Sequence, residues 1–402
     1  MAASLGIAST ILRNHGIQGL ATRAVRVLSQ RLDVAEWDFP LLPEDIADSS
    51  DLCLPDPPAS SPVPRTLRIG WITTPPSAGS GGHTTMFRMV QALESVGHHC
   101  TVLLYDRYGG QKSRHAEAIR HSWPWISAGV VDIADGIPPM DALVATSWQT
   151  AHVLASRAHT PCSRFYFVQD YEPYFYARGS EFALAEDTYR FGFETIAVGS
   201  MVADLLRSQI GVTAHLAEFG CDTDVYHLTS EGDRRGVVFY MKPDVARRGT
   251  RLGILALNEF HRRHPEQPIR VFGEVPGDLP FAHENLGKLR PDELNDLYNR
   301  SVAGLAMSFT NISLVAEEML AAGTIPVVND SPLARADLPN AEACWALATP
   351  AAIADALCDL VEAPDIAARA RSAAAGVRGD RWQPAQATVV KAIESSVRRC
   401  GA

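Results

Sequence analysis

The chain has 402 residues, 46% hydrophobic and 20% charged, with a net charge of -10, which excludes a disordered chain and suits two folded domains of comparable size plus extensions. No uninterrupted apolar run reaches the ~18–20 residues of a membrane-spanning helix, and no dominant basic face marks a nucleic-acid binder, although a phosphorylated small ligand needs only a few local cations and backbone donors. The seven cysteines, at 53, 100, 162, 221, 344, 358 and 400, are odd in number and lack C-x-x-C spacing, which argues against a disulfide framework or zinc site and for a reducing, cytoplasmic setting.

Residues 1–32 carry Arg13, Arg23, Arg26 and Arg31 with no acid before Asp33, while Ile7, Ile11, Leu12, Leu20, Val27 and Leu28 supply apolar faces. Three readings stay open. The segment is a basic amphipathic helix in peripheral contact with an anionic membrane surface, a helix packed on its own domain, or a transit peptide of similar composition. Residues 50–65 (SDLCLPDPPASSPVPR) read as an extended linker, so 1–65 precede the first domain.

A strand–helix alternation begins with Leu67–Thr73, a Gly/Ser/Pro loop over Pro75–Gly82, a helix over His83–Val96 stopped by Gly97, and a strand over Cys100–Tyr105. Strands at Ala142–Thr146, Arg164–Val168, Thr195–Val198 and Ala214–Phe219 continue it, with helical stretches between. The pattern pauses near Asp222–Gly232. It restarts with Val237–Met241 and a helix over Thr250–Arg263, then strands at Ile269–Phe272, Ala303–Phe309 and Ile325–Val328. Pro291 opens a helix, with Asp292 and Glu293 favourably placed against its dipole. Two successive βαβ-rich halves predict two Rossmann-like domains, 66–230 and 231–380, with parallel sheets facing a central cleft, and a separate last helix within 381–402.

Ligands bind such sheets at the carboxyl edge, which directs attention to three loops. Gly79-Ser80-Gly81-Gly82-His83 lies between the first strand and helix, where paired glycines let backbone N–H groups approach a ligand closely. It does not fit the G-x-G-x-x-G dinucleotide fingerprint, and a plain βα turn is the bland alternative. Lys242 with Arg247-Arg248-Gly249 follows the first strand of the second half, where cations would meet a diphosphate; a solvated basic loop is the alternative. In Ser308–Gly323 a strand gives way to a polar loop and a helix beginning near Ser313, whose free N–H groups and positive dipole end can hold a phosphate. Glu317 and Glu318 lie just over one turn into it; one could bond a ribose diol, though adjacent glutamates are usually surface charge. Asp222-Thr-Asp224 has the form of a metal-binding D-x-D but falls in the inter-domain loop with too few ligands.

Together these pieces resemble the GT-B-type retaining glycosyltransferases, family four, over about residues 67–395. Gly81-Gly82 resembles the family's N-domain glycine loop. Phe219–Tyr226 is similar to its N-G-V-D-x-x-x-F segment. Val238–Lys242 with Arg248-Gly249 resembles its arginine-then-lysine-glycine diphosphate site. Leu286-Gly287 with Glu293–Tyr298, and Glu318–Gly323 followed by Pro326-Val-Val, resemble its L-G-x-x-x-x-x-E-L-x-x-x-Y and E-A-M-A-x-G-x-P-V-V stretches. Phe165–Tyr176 and Ser308–Leu314 are similar to a rhamnosyltransferase branch that builds surface glycans from dTDP-rhamnose.

The resemblance implies a nucleotide-sugar donor on the C-terminal domain and a saccharide or lipid-linked saccharide acceptor on the N-terminal domain, with no nucleic acid, cofactor or metal. Lys242 and Arg248 would neutralise the leaving diphosphate. Gly81, Gly82 and His83 would close over it from the opposite domain. Arg247, Gly273, Thr310, Asn311, Ser313 and Leu314 would complete the donor site, and Glu318 would hold the ribose. Asp170, Tyr171 and Glu172 would face the acceptor, with Asp170 as base in an inverting enzyme or as an orienting group in a retaining one. The last helix would cross back to the N-domain. Two departures stand out. Thr310 occupies the place of the first of two glutamates spaced by eight, and Lys242 replaces an arginine, losing a bidentate fork. Three rivals make different demands. An NAD-linked oxidoreductase would need a dinucleotide fingerprint. A sugar-nucleotide epimerase of the same fold would need no acceptor. A non-catalytic carbohydrate-binding scaffold would be indifferent to Lys242.

Overall fold

A computed structural model describes residues 39–55, 66–77, 79–229, 232–275, 277–379 and 382–400; the amphipathic segment 1–32 and most of the Pro/Ser-rich linker lie outside them. Two compact units divide the chain, Met1–Ile46 and Ala47–Ala402. In the first, Pro43–Asp45 form a 3-10 turn opened by a proline.

The second unit holds two sheets. The first runs β1 (Arg68–Thr73), α1 (Gly81–Ser95), β2 (His99–Leu104), α2 (Lys112–Ser122), β3 (Gly129–Asp132), β4 (Ala142–Ala145), α3 (Trp148–Arg157), β5 (Ser163–Val168), α4 (Ser180–Asp187), β6 (Glu194–Val198), α5 (Ser200–Leu205) and β7 (His215–Ala217). Its strand order is β3-β2-β1-β4-β5-β6-β7, parallel throughout. The next sheet runs β8 (Val237–Met241), α6 (Thr250–Arg263), β9 (Ile269–Gly273), β10 (Glu284–Asn285), α7 (Pro291–Asn299), β11 (Ala303–Leu305), α8 (Leu314–Ala321), β12 (Ile325–Asn329), α9 (Pro332–Arg335), β13 (Cys344–Ala346), α10 (Pro350–Glu362) and α11 (Ile366–Ala375). Its order, β10-β9-β8-β11-β12-β13, repeats the doubly wound pattern. In each sheet the winding reverses beside the first strand, between β1 and β4 (Ile69 opposite Ala142) and between β8 and β11 (Val237 opposite Ala303). Connections leave such a pair in opposite directions and open a crevice at its carboxyl end.

Apolar runs explain the central strands. Phe165, Tyr166, Phe167 and Val168 of β5 are all buried, as a strand covered on both faces requires. Gly253 lets α6 sit directly on β8, because a β-carbon there would run into the Phe239 ring. The last helix, α12 (Gln383–Cys400), packs on the first sheet although it follows the second. Trp382, Ala385, Val389, Ala392 and Ile393 join Leu67, Ile69, Phe87 and Val90 in one core. Gln386 Nε2 donates to the Arg88 carbonyl at 3.0 Å. Across the domains, the Asp337 carboxylate accepts the first amides of α5, from Ser200 at 2.5 Å and Met201 at 2.9 Å, where the helix dipole favours an anion.

The sequence reading needs three corrections here. Gly81 and Gly82 belong to the first turn of α1 rather than to a loop, so the helix begins two residues before the expected His83, because Ser80 caps it and its side chain accepts from the His83 amide. The strand expected over Ala303–Phe309 ends at Leu305; the Ala306 amide still donates to the Val327 carbonyl at 3.1 Å, but by Ser308 the partner is a side chain, Asn329, whose Oδ1 accepts from Ser308 N and whose Nδ2 donates to Ser308 O, both at 2.8 Å. The short strands β3, β10 and β13 have no counterpart in the reading of the sequence. No described helix is long and apolar enough to cross a membrane.

Candidate functional site

The crevice beside β8 and β11 is formed by the loops that leave those strands. After β8 the chain passes Lys242, makes a 3-10 turn over Ala246–Arg248 and enters α6 through Gly249. Gly249 has φ +63°, and a β-carbon there would stand 3.1 Å from both Met307 and Phe309. The Lys242 amide donates to Thr250 Oγ1 at 3.3 Å, closing the loop on α6. The β11 loop is tied to it where the Phe309 amide donates to the Arg247 carbonyl, 3.1 Å. Ser308 Oγ donates to Asn311 Oδ1 at 3.0 Å, so the segment is pinned from both ends. Ser313 then caps α8 in extended backbone without a side-chain hydrogen bond to the helix amides, so the cap side chain does not satisfy the first amides of the helix.

Three contacts join this crevice to the loop after β5. Thr310 Oγ1 donates to Asp170 Oδ1 at 2.6 Å. Asn311 Nδ2 donates to the Gln169 carbonyl at 3.1 Å. The Arg247 guanidinium lies over the Phe175 ring, 4.2 Å from its centroid. The first turn of α1 reaches the same place: a β-carbon on Gly81 would stand 3.9 Å from Leu314 Cδ1, and one on Gly82 would stand 3.7 Å from the Gln169 amide.

The electrostatics suit an anion. Arg247 Nε and Arg248 Nη1 are buried and without a hydrogen-bond partner among the described residues, which is uncommon for buried polar atoms. Burial lowers the pKa of Arg248, while the Asp170 carboxylate raises it. His83 is held neutral, its pKa pushed down to about 4 by burial, and its Nδ1 lies 2.8 Å from Ser80 Oγ.

Tyr171 and Glu172 do not face the crevice, which corrects their expected place beside the acceptor. Tyr171 is 1% exposed, stacked on Tyr189 at 5.5 Å. Glu172 is 5% exposed; its carboxylate accepts from the Trp148 amide and from Tyr166 Oη. Both turn inward because the chain after Asp170 coils into a 3-10 turn, Glu172–Phe175, against the N-terminus of α3. Burial pushes the Glu172 pKa up to about 8.

The remaining residues lie around this centre. Gly273 ends β9 against Tyr240 and Met241, its amide donating to the Gly287 carbonyl at 2.7 Å. Glu318 follows on α8, where burial raises its pKa to about 7, Arg88 opposes the rise, and Asp222 and Glu317 add to it. Asp222 of the D-x-D forms an ion pair with Arg88, and the Arg88 guanidinium lies 4.8 Å over the Trp382 ring. Arg88, Phe175 and Gln169 escaped the sequence reading. Arg88 stood seven positions after Gly81 on the same helix, a usable signal. Phe175 sat in an aromatic run with nothing to single it out.

Against known proteins, residues 133–201 match the family model described as WsaF, N-terminal domain, and residues 235–358 the one described as WsaF, C-terminal domain. The O-antigen biosynthesis protein RfbC of Myxococcus xanthus is 32% identical over 271 residues, 64% of this chain and 21% of that protein. The chain thus matches about a fifth of that relative's length. Among solved structures, Anabaena Alr3699/HepE, in complex with UDP and glucose, superposes with a TM-score of 0.57 at 12% identity, over 84% of this chain and 97% of that one. A mutant of the Thermobaculum terrenum O-GlcNAc transferase gives 0.55 at 13%, over 88% and 71%. A glycosyltransferase from Rickettsia africae gives 0.54 at 12%, over 83% and 97%. With two doubly wound parallel sheets and these structural neighbours, the chain has the GT-B fold.

Proposed function

We propose that this protein is a glycosyltransferase of surface-glycan or O-antigen biosynthesis, moving a sugar from a nucleoside-diphosphate donor, with dTDP-rhamnose as the preferred candidate, to a saccharide or lipid-linked saccharide. The observation that carries the reading is the pair of adjacent guanidinium groups, Arg247 and Arg248, each with a buried unpartnered nitrogen, at the winding reversal of the second sheet. A diphosphate supplies oxygens for both, and the α8 amides add donors. The matches to the WsaF models and to RfbC support the class of reaction, and the shape shared with HepE supports a donor site of this kind.

In this reading Lys242, Arg247 and Arg248 stabilise the charge that develops on the leaving diphosphate as the glycosidic bond breaks. Three protein cations take the part a metal ion would play. Asp170 stands opposite Arg248 and orients the acceptor hydroxyl. In a retaining course, which we favour, the departing phosphate takes that hydroxyl's proton. Thr310, in place of a carboxylate, holds Asp170 by its hydroxyl. Glu318 holds the ribose, and Gly81 and Gly82 bring backbone N–H groups over the donor. Thermal stabilisation by dTDP, UDP, GDP, ADP and NAD tests the proposal. It requires selective stabilisation by dTDP or UDP that disappears in Lys242→Ala and Arg248→Ala; stabilisation by NAD alone, or by none of them, rejects it.

A further inference from the structure

Arg247 belongs to the second domain, yet the ring against its guanidinium belongs to the first. The guanidinium carbon lies over the Phe175 ring, 4.2 Å from its centroid, and its charge is felt by Glu172 of the same turn and by Tyr176, which caps it. Phe175 is itself fixed. It follows the buried Glu172 in a one-turn 3-10 segment, and its ring lies 6.5 Å from that of Tyr176, whose hydroxyl accepts from Trp148 Nε1 at 3.1 Å. The aromatic face therefore stands on a rigid base, and it meets Arg247 only while the two domains are together. Hydrogen bonds from Thr310 to Asp170 and from Asn311 to the Gln169 carbonyl hold the same seam.

From this we infer that Phe175 is a positioning residue: its ring face holds the Arg247 guanidinium in the orientation that binds the donor diphosphate, so that the acceptor domain itself completes the anion site on closure. The inference rests on the donor-site reading above. An aromatic face supplies no hydrogen-bond acceptor in the guanidinium plane, so it fixes the plane of Arg247 while leaving Nε and its other donors free for phosphate oxygens. A carboxylate at position 175 would hold the arginine as firmly but would occupy those donors. Lysine at 247 would satisfy the charge and lose the planar stack.

The test is the dissociation constant of dTDP and of UDP, by titration calorimetry, for the full chain and for Arg247→Ala, Arg248→Ala, Phe175→Leu, Phe175→Tyr and the Phe175→Leu/Arg247→Ala double variant. Phe175→Leu keeps an apolar side chain of similar bulk and removes the ring face, and should weaken the tighter nucleotide by about 3- to 30-fold. Phe175→Tyr should restore it. The double variant should bind no more weakly than Arg247→Ala alone. Equal binding by the Leu variant and the unaltered chain, equal loss in the Leu and Tyr variants, or additive losses in the double variant would each overturn the proposal. These outcomes are separable from failure of the donor site. If Arg247→Ala weakens binding and Phe175→Leu does not, only the platform falls; if neither Arg247→Ala nor Arg248→Ala matters, the donor site falls with it.

Discussion

Replacing Arg248 with alanine should separate a ligand-binding cation from a structural one, because the two roles change stability in opposite directions. In the structure the guanidinium is desolvated, faces Asp170 and leaves Nη1 without a partner among the described residues. An unsatisfied buried polar group costs about 1–3 kcal/mol, so deleting it should leave the melting temperature of the ligand-free protein unchanged or raise it. Nucleotide binding should move the other way. Loss of a charge-assisted contact worth about 1.5–3 kcal/mol weakens the complex roughly 10- to 150-fold. A nucleotide supplied at a hundred times its original dissociation constant, which stabilises the unaltered chain by about 2.7 kcal/mol, would then add only about 0.3–1.4 kcal/mol. Thermal melts of both proteins with and without dTDP and UDP read all four quantities. A lower melting temperature without ligand, together with an undiminished nucleotide shift, would show that Arg248 serves the fold and would refute the reasoning.

Glu172→Gln should flatten the pH dependence of stability. Burial raises the carboxyl from an ordinary value of 4.5 to about 8, so between those values the folded state keeps a proton that the unfolded state releases, and stability falls as pH rises. Urea unfolding at pH 5, 6, 7 and 8 should show a smaller decline for the variant; an identical decline would contradict this. Thr310→Val removes the hydroxyl that holds Asp170 and should cost about 1–2 kcal/mol in urea unfolding, with slower sugar transfer, whereas unchanged stability and rate would remove Thr310 from the account. Gly249→Ala, at φ +63° with 3.1 Å contacts to Met307 and Phe309, should destabilise by about 1–2 kcal/mol or more and weaken nucleotide binding through the Arg247–Arg248 turn. Sugar transfer should continue in excess EDTA, because the cations of the crevice are side chains; loss of activity restored by a divalent ion would reverse that part of the proposal.

The two-sheet architecture was legible because parallel central strands write themselves as short apolar runs between loop signals, as in Val237–Met241, which was read to the residue. The edge strands β3, β10 and β13 were not, being only two to four residues long. The end of β11 was hidden because the groups that replace its ladder beyond Ala306 include a side chain of another strand, Asn329 on Ser308. Adjacent cations at Arg247-Arg248 and the polar loop at Ser308–Ser313 were visible as candidates, since both follow strands at a carboxyl edge. Their mutual contact was not, because it depends on β8 and β11 being neighbours across a change of winding. Tyr171 and Glu172 were misplaced for a local reason. Adjacency to Asp170 in sequence does not carry its exposure: Tyr171 caps, and Glu172 opens, a 3-10 turn, and both side chains are buried.

Sugar transfer itself is the most direct measurement of the central claim. The purified chain would be incubated with dTDP-rhamnose, and separately with UDP-glucose, in the presence of a panel of surface-glycan oligosaccharides, and nucleotide and saccharide products followed together by mass spectrometry. The account predicts an acceptor enlarged by one sugar and an equal amount of free nucleoside diphosphate, with dTDP-rhamnose the better donor and both products lost in Arg248→Ala. Conversion of the donor to an isomeric nucleotide sugar with no enlarged acceptor, or product formation indifferent to Arg248, would contradict it.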